Sequence, residues 1–133
     1  DFFTKAGIET LSKDLETDVL FGAFISEQLV GFIALRKADV SSLEISWLAV
    51  SKNAQRMGIG SKLVRGSLEQ LAGEGFRVCY VKTLAETVED EGYARTREFY
   101  RSLSFCTLEI VDPYPGWSAG NPCQILATSL PLS

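Results

Sequence analysis

The pattern of apolar and polar positions predicts a strand-rich first half. Short apolar runs at Val19–Ile25, Leu29–Leu35 and Leu43–Val50 have the length and β-branched content of strands. Glu27 and Gln28 separate the first two runs, which predicts a hairpin. Three strands in succession with short connections favour antiparallel pairing.

Apolar residues at helical spacing precede and follow these strands. Apolar residues at loosely helical intervals predict a helix over Phe2–Leu15, and a stronger apolar stripe predicts another from Gly58-Ile59-Gly60 to about Ala72. The later strand–helix–strand order favours a parallel crossover, so the expected fold class is mixed α/β (α+β). The remaining predicted elements are strands at Arg77–Leu84, Phe105–Val111 and Gln124–Leu130, a helix at Arg95–Leu103, an acidic loop at Glu86–Glu91 and a Pro/Gly-rich excursion at Asp112–Pro122.

Composition narrows the class of protein. The 133 residues suit one domain, and the start at Asp1 rather than Met leaves a truncated N-terminus open. The net charge of −4 argues against non-specific nucleic-acid binding, which needs a basic surface. No apolar run of about 18 residues and no signal peptide are evident, so no membrane contact is expected. Three widely spaced cysteines fit reduced thiols, and we expect a cytoplasmic protein.

The absence of histidine limits the chemistry. The sequence contains no histidine, which excludes Ser-His-Asp and Cys-His nucleophiles and histidine-containing zinc sites. No metal site is expected. Any general base must be a carboxylate, a lysine, a tyrosine or water.

A glycine-containing segment at a strand-to-helix junction predicts an anion site. Glycines at 58 and 60 let backbone N–H groups approach a ligand, and the first turn of the following helix adds unpaired donors. A P-loop needs a Lys directly after its last glycine, but Gly60 is followed by Ser61 and only then by Lys62. A dinucleotide fingerprint needs a third glycine where Leu63 stands. On this segment alone, a loop without a ligand remains an alternative.

Two motifs resemble the GNAT acetyltransferase family. Gln55-x-x-Gly58-x-Gly60 is similar to its Q/R-x-x-G-x-G/A pyrophosphate loop, and the preceding strand ends in Leu-Ala-Val as its fourth strand often does. Phe99-Tyr100, followed by Phe105, is similar to its F-Y-x-x-x-G-F segment. Two departures are a serine at 104 in place of the glycine and a tyrosine at 93 where many relatives carry asparagine.

The resemblance implies a fold and a set of cofactor contacts. The expected GNAT-like fold has a central mixed sheet with splayed parallel strands four and five flanked by helices, in a single acyl-CoA N-acyltransferase domain over residues 1–133. The pantetheine arm of acetyl-CoA would lie between those two strands, and its pyrophosphate would meet the glycine loop. The cofactor-binding residues implied are Leu48, Ala49, Val50, Gln55, Arg56, Met57, Gly58, Ile59, Gly60 and Ser61.

The resemblance also implies catalytic roles. Tyr100 matches the family tyrosine that protonates the departing sulfur, although it also fits a buried aromatic beside Phe99. Glu44 matches the glutamate base of histone-acetylating members, although it also fits a solvent-facing strand residue. Strand alternation predicts that residues 44, 46, 48 and 50 share one face. A partly buried carboxylate there would have a raised pKa suited to a base.

Three functions are weighed. The first is an N-acetyltransferase that moves the acetyl group of acetyl-CoA directly to a primary amine of a small molecule or protein. The second is a catalytically silent acyl-CoA-binding sensor or partner domain, and the third is a phosphate-binding α/β module unrelated to CoA. The acidic loop favours a cationic acceptor, unless it only solubilises the chain. Either a monomer or a homodimer fits the sequence.

Overall fold

The computed structural model describes residues 7–13 and 18–133, which form one seven-stranded sheet and two α-helices. A short 3-10 turn at Lys52–Ala54 precedes the first helix. The elements are β1 (Gly7–Lys13), β2 (Asp18–Ile25), β3 (Gln28–Asp39), β4 (Ser42–Val50), α1 (Ile59–Gly73), β5 (Val78–Leu84), α2 (Glu91–Ser102), β6 (Cys106–Val111) and β7 (Cys123–Ser129).

The sheet is antiparallel except at its centre. Its strand order is β1-β2-β3-β4-β5-β7-β6, and only β4 and β5 run parallel. Their pairing covers three residue pairs and stops at Glu44 and Tyr80. From Ile45 onward, β5 no longer pairs with β4, so the two strands diverge and leave backbone groups of β4 available. The mixed fold with splayed parallel strands four and five is confirmed.

Both helices cover the same face of the sheet. The stripe Leu63, Val64, Leu68 and Leu71 of α1 is fully buried against the strands. Tyr100 of α2 belongs to the same core cluster. Burying each leucine contributes about 1.5–3 kcal/mol, so this apolar stripe explains why α1 crosses back over the sheet. No helix formed by residues 7–13 and 18–133 lies on the opposite side of the sheet, which we call the helix-free face.

The element predictions are confirmed except at the N-terminus. The helix expected over Phe2–Leu15 is wrong where it can be compared, because Gly7–Lys13 is strand β1; its remaining residues lie outside the described residues. Pairing of β1 with β2, such as Ile8 with Ala23, outweighs the weak helical periodicity. Helix α2 begins earlier than expected because Asp90 caps it, accepting the Tyr93 N–H at 2.9 Å.

A bulge in β4 reverses the predicted face assignment. Trp47 pairs with Ala34 and Ile45 pairs with Leu35, which leaves Ser46 as an extra residue. An extra residue switches the alternation of side chains. The side chains at 48 and 50 therefore pack against the core cluster to which the residues at 43 and 45 belong. The prediction that 44, 46, 48 and 50 share one face is wrong, because the side chain at 44 lies on the helix-free face.

Candidate active site

The start of α1 forms a set of unpaired backbone donors. Gly58 stands before the helix with φ of 71°, a left-handed conformation that favours glycine, and no side chain caps the helix end. The first bond inside the helix runs from the Lys62 N–H to the Gly58 carbonyl. The N–H groups of residues 59–61 therefore have no partner within the helix, and the positive end of the helix dipole points outward.

A continuous groove leads from these donors along β4 to Tyr100. It consists of two cavities of about 310 and 290 Å³ that share Leu48 and Phe99. One end is lined by the glycine loop, and the other by the first turns of α2. The lining residues are Leu48, Val50, Gln55, Gly58, Gly60, Ser61, Gly92, Arg95, Thr96, Phe99 and Tyr100.

The predicted loop residues do not all contribute side chains to this groove. Gln55 lines it and donates from Nε2 to the Val50 carbonyl at 3.3 Å. Met57 instead lines a separate cavity of about 310 Å³ at the β2–β3 turn, and Ile59 is buried in the core. Arg56 and Ala49 are exposed, and neither lines the groove. Ala49, Met57 and Ile59 could therefore contact a ligand in the groove only through their backbone groups, and Arg56 through its backbone or its long side chain.

Tyr100 stands at the inner end of the groove. Its ring packs edge-on against Phe99, with 5.0 Å between centroids, and at a tilt against Phe105, with 5.2 Å between centroids. Burial raises the pKa of Tyr100, and the neighbouring Cys79 thiol raises it further. The phenol therefore stays protonated at neutral pH and can donate a proton. Burial and the charge of Glu44 also raise the pKa of Cys79 to about 12, so this thiol is not a nucleophile.

Glu44 is the anion of a cluster of charged residues on the helix-free face. It is 8% exposed, so the alternative of a solvent-facing residue is wrong. Arg36 Nε donates to Oε1 at 2.9 Å, Arg36 Nη2 lies 2.8 Å from the same oxygen, and Lys82 Nζ lies 3.2 Å from Oε2. Arg36 Nη2 also donates to the Tyr80 hydroxyl at 2.8 Å. We call these four residues the charged cluster.

The cluster is built by strand register. Arg36 pairs with Glu44 across β3 and β4, and Glu44 pairs with Tyr80 across β4 and β5. Lys82 follows two residues later on the same face of β5. Sequence reasoning missed Arg36, Tyr80 and Lys82. The β3–β4 register, which pairs Arg36 with Glu44, would have revealed Arg36, but the parallel partner of β4 could not be read from the local pattern.

The surroundings of Lys82 and Tyr80 in the charged cluster raise the pKa of both side chains. Burial acts to lower the pKa of Lys82, but hydrogen bonds to Tyr114 and Glu44 outweigh burial and the pKa is raised. Burial, and next the charge of Glu44, raise the pKa of Tyr80. Lys82 Nζ also lies 5.1 Å from the centroid of the Tyr114 ring, within the range of a cation–π contact. Lysine 82 is thus held as an ammonium between a carboxylate and an aromatic ring.

The acidic loop after β5 has mostly structural partners. Glu86 forms a 3.1 Å ion pair with Arg101, whose hydrogen bond lowers the pKa of this exposed carboxyl. Asp90 is the N-cap of α2, and Glu91 lies in its first turn. Nearby, Leu84, Tyr93 and Trp117 help to line a cavity of about 410 Å³. Trp117, which belongs to the Pro/Gly-rich excursion, therefore forms part of a cavity wall.

Arg97 is a further residue that the sequence did not single out for this role. It is buried on α2 and donates to the carbonyl of Leu84 at the end of β5. Since Tyr100 follows one helical turn later, this contact sets the position of Tyr100 relative to β5. Cys106 is exposed on the edge strand β6, whereas Phe105 beside it is buried.

Two classes of feature are missing from the described residues. Within residues 7–13 and 18–133, no group of three or more His, Cys, Asp or Glu side chains could hold a metal ion. Neither helix in the described part of the chain is long and apolar enough to cross a membrane.

Comparison with known proteins agrees with this geometry. The sequence profile described as the acetyltransferase (GNAT) family matches residues 3–105. The match includes β4, the glycine loop, the charged cluster and Tyr100. No curated protein matches the sequence.

Solved structures share the fold at low identity. A Bacillus subtilis acetyltransferase in complex with CoA is 18% identical, with a TM-score of 0.74 over 95% of this chain and 99% of that chain. The ribosomal-protein-S18-alanine N-acetyltransferase from Escherichia coli is 18% identical, with a TM-score of 0.73 over 93% of both chains. A GNAT family acetyltransferase from Elizabethkingia anophelis with acetyl-CoA bound is 21% identical, with a TM-score of 0.70 over 87% and 78%.

Proposed function

The chain belongs to the acetyltransferase (GNAT) family, and from this premise we propose that it transfers the acetyl group of acetyl-CoA directly to a primary amine. The predicted family and enzyme class are confirmed by the same match. The acceptor class and the site residues are the proposal. Residues 1–133 act in it as one domain, and the free thiols at 79, 106 and 123 suit a cytoplasmic setting.

The observation that carries the proposal is the continuity of the groove. Unpaired N–H groups at the start of α1 suit a pyrophosphate, since they combine free donors with the positive end of a helix dipole. The diverging edge of β4 suits an extended arm with amide groups, because its backbone can bond that arm as a strand would. Both features lead to the Tyr100 side chain. Relatives crystallised with CoA or acetyl-CoA support this choice of ligand.

Acetyl-CoA supplies the activated acetyl group as a thioester. In the proposal Tyr100 holds a proton at its hydroxyl for the sulfur, which is possible because burial keeps the phenol protonated. Glu44 takes the proton of the acceptor ammonium, directly or through water, from the helix-free face. The gap between β4 and β5 lets the two groups act on one reaction from opposite faces of the sheet.

The amine acceptor is the finer part of the proposal. The buried carboxylate of Glu44 suits a cationic group, and the relative named for an alanine N-acetyltransferase acts on an amine of a protein. A cationic acceptor with further positive charge is favoured only weakly, because Glu86 and Asp90 of the acidic loop are engaged within the fold.

A silent binding domain is the second candidate, and one observation favours it. Both Glu44 oxygens already contact cationic side chains, which occupy positions that an acceptor amine would need. Two measurements separate the candidates. Calorimetry with CoA tests binding, and an absorbance assay for CoA thiol, run with acetyl-CoA and a panel of primary amines, tests transfer.

The combined results of the two measurements distinguish the two candidate functions. Binding together with amine-dependent release of thiol supports the acetyltransferase. Binding without release by any amine supports the silent domain. Absence of CoA binding by the folded protein would remove both candidates.

A further inference from the structure

Lys82 presents an ammonium group beside the proposed base. Its Nζ lies 3.2 Å from Glu44 Oε2 and 5.1 Å from the centroid of the Tyr114 ring. A carboxylate and the face of an aromatic ring are the two partners that proteins use most directly to hold an alkylammonium. The side chain of Lys82 is only 25% exposed, so this small site is partly shielded from water.

The position of Lys82 relative to the gap adds to this observation. The β4–β5 pairing ends at Glu44 and Tyr80, and Lys82 lies two residues beyond on β5. Its ammonium therefore stands at the mouth of the gap on the helix-free face, opposite the groove that ends at Tyr100. An acceptor amine that approaches Glu44 from this face must take the place that Lys82 Nζ now fills.

We propose that Glu44 and Tyr114 form the acceptor-amine subsite, that Lys82 occupies it as an internal stand-in, and that an unbranched primary alkylammonium enters by displacing Lys82. This inference rests on the proposed function, because it assigns the acceptor to the same carboxylate. Lys82 is then a positioning residue that selects acceptors by competing with them. Arg36 remains on Oε1 when Lys82 leaves, so the carboxylate keeps one ion-pair partner.

The transfer balances without any further reactant. The vacated subsite holds the acceptor ammonium, whose first proton passes to Glu44 and from there to solvent. The nitrogen forms a bond to the acetyl carbon, the bond from that carbon to sulfur breaks, and the sulfur receives a proton from Tyr100. The second proton that the nitrogen loses restores the Tyr100 phenol, directly or through water. The products are an N-alkylacetamide and CoA thiol.

The test uses Lys82→Ala with n-butylamine, which has the four-carbon stem and ammonium of a complete lysine side chain. Removing an internal competitor raises the fraction of protein that can bind, so kcat/KM for n-butylamine should rise about tenfold or more over wild type. Glu44→Gln in the Lys82→Ala background should abolish that gain. Lys37→Ala is the matched control, because Lys37 lies on β3 paired with Leu43 outside the cluster, and it should behave as wild type.

A binding measurement separates this inference from the proposed function. Calorimetry without acetyl-CoA should detect n-butylammonium on Lys82→Ala and not on wild type, while tert-butylammonium, which is branched at the nitrogen-bearing carbon, should bind neither. If wild type transfers acetyl groups but Lys82→Ala gains neither affinity nor rate for n-butylamine, the subsite is wrong and the proposed function stands. If no variant releases CoA thiol but n-butylammonium still binds Lys82→Ala alone, the proposed function fails and the subsite stands.

Discussion

The two faces of the sheet meet the gap between β4 and β5 with opposite chemistry. The helix-covered face offers an apolar groove with backbone donors at one end and the buried phenol of Tyr100 at the other. The helix-free face offers ionised side chains around Glu44. A neutral proton donor is favoured where charge is poorly solvated, and an ammonium is held best by a carboxylate. The sheet thus separates the proposed acid from the proposed base, and each can be perturbed alone.

The largest expected effect breaks the helix-covered face at its acid. Tyr100→Phe keeps the ring contacts with Phe99 and Phe105 and removes the proton, so kcat should fall by about 10²- to 10⁴-fold. CoA affinity by calorimetry should stay near the wild-type value. Tyr93→Phe, at an exposed position on the same helix, is the matched control and should change kcat little. A Tyr100→Phe kcat within about twofold of wild type, with chemistry rate-limiting, contradicts the assignment.

The second-largest expected effect concerns the start of α1, the proposed anion-binding end of the groove on the same face. A Cβ at Gly60 would lie 3.3 Å from the Phe99 ring, so Gly60→Val pushes a side chain into the wall of the groove. CoA should bind at least about tenfold more weakly, a loss of about 1.4 kcal/mol. Gly73→Val, on the same helix with open space around its Cβ, should bind CoA as wild type does. Unchanged CoA binding in folded Gly60→Val would mean that the pyrophosphate does not bind at the start of α1.

These two predictions concern the part of the site that the sequence revealed. The glycine loop and Tyr100 lie in contiguous motifs whose local geometry follows from a few residues, and the structure brings them to one groove. The charged cluster depends instead on register among three strands, including a parallel pair that closes across α1. The bulge at Ser46 places Glu44 on the face opposite to Leu48. Only a change of phase in the apolar pattern, from residues 43 and 45 to residues 48 and 50, indicates it in the sequence.

The fold shows the same division. Elements with strong periodicity, such as α1, begin and end close to their predicted bounds. The segment Gly7–Lys13 forms strand β1 instead of the predicted helix, because its helical periodicity is weak and its conformation is set by pairing with β2. Ser104, which stands in place of the family glycine, adopts the left-handed conformation typical of glycine, with φ of 74°.

A smaller effect tests the turn that ends α2 below Tyr100. Ser104→Gly relieves a left-handed serine, worth about 1 kcal/mol, and gives back roughly 0.4–1 kcal/mol through the freer unfolded chain. Urea unfolding should therefore show stability equal to or slightly above wild type. Ser102→Gly is the matched control, because it weakens the last helical turn by about 0.5–1 kcal/mol. Equal losses in both variants would show that residue 104 is not strained.

The smallest effect sharpens the comparison by asking whether charge beyond the subsite draws acceptors to the helix-free face. Of the four carboxylates in the loop after β5, Glu86 pairs with Arg101 and Asp90 caps α2, which leaves Glu89 and Glu91 as the main source of steering. The value of kcat/KM for 1,4-diaminobutane should therefore fall only about twofold from low to physiological salt, because the Debye length shortens. The value for n-butylamine, which lacks the second charge, should fall less. Glu89→Gln should narrow the difference between the two amines. Identical salt responses, or a preference for neutral or acidic acceptors, would remove the cationic preference and leave the subsite at Glu44 to select the acceptor by its single ammonium group.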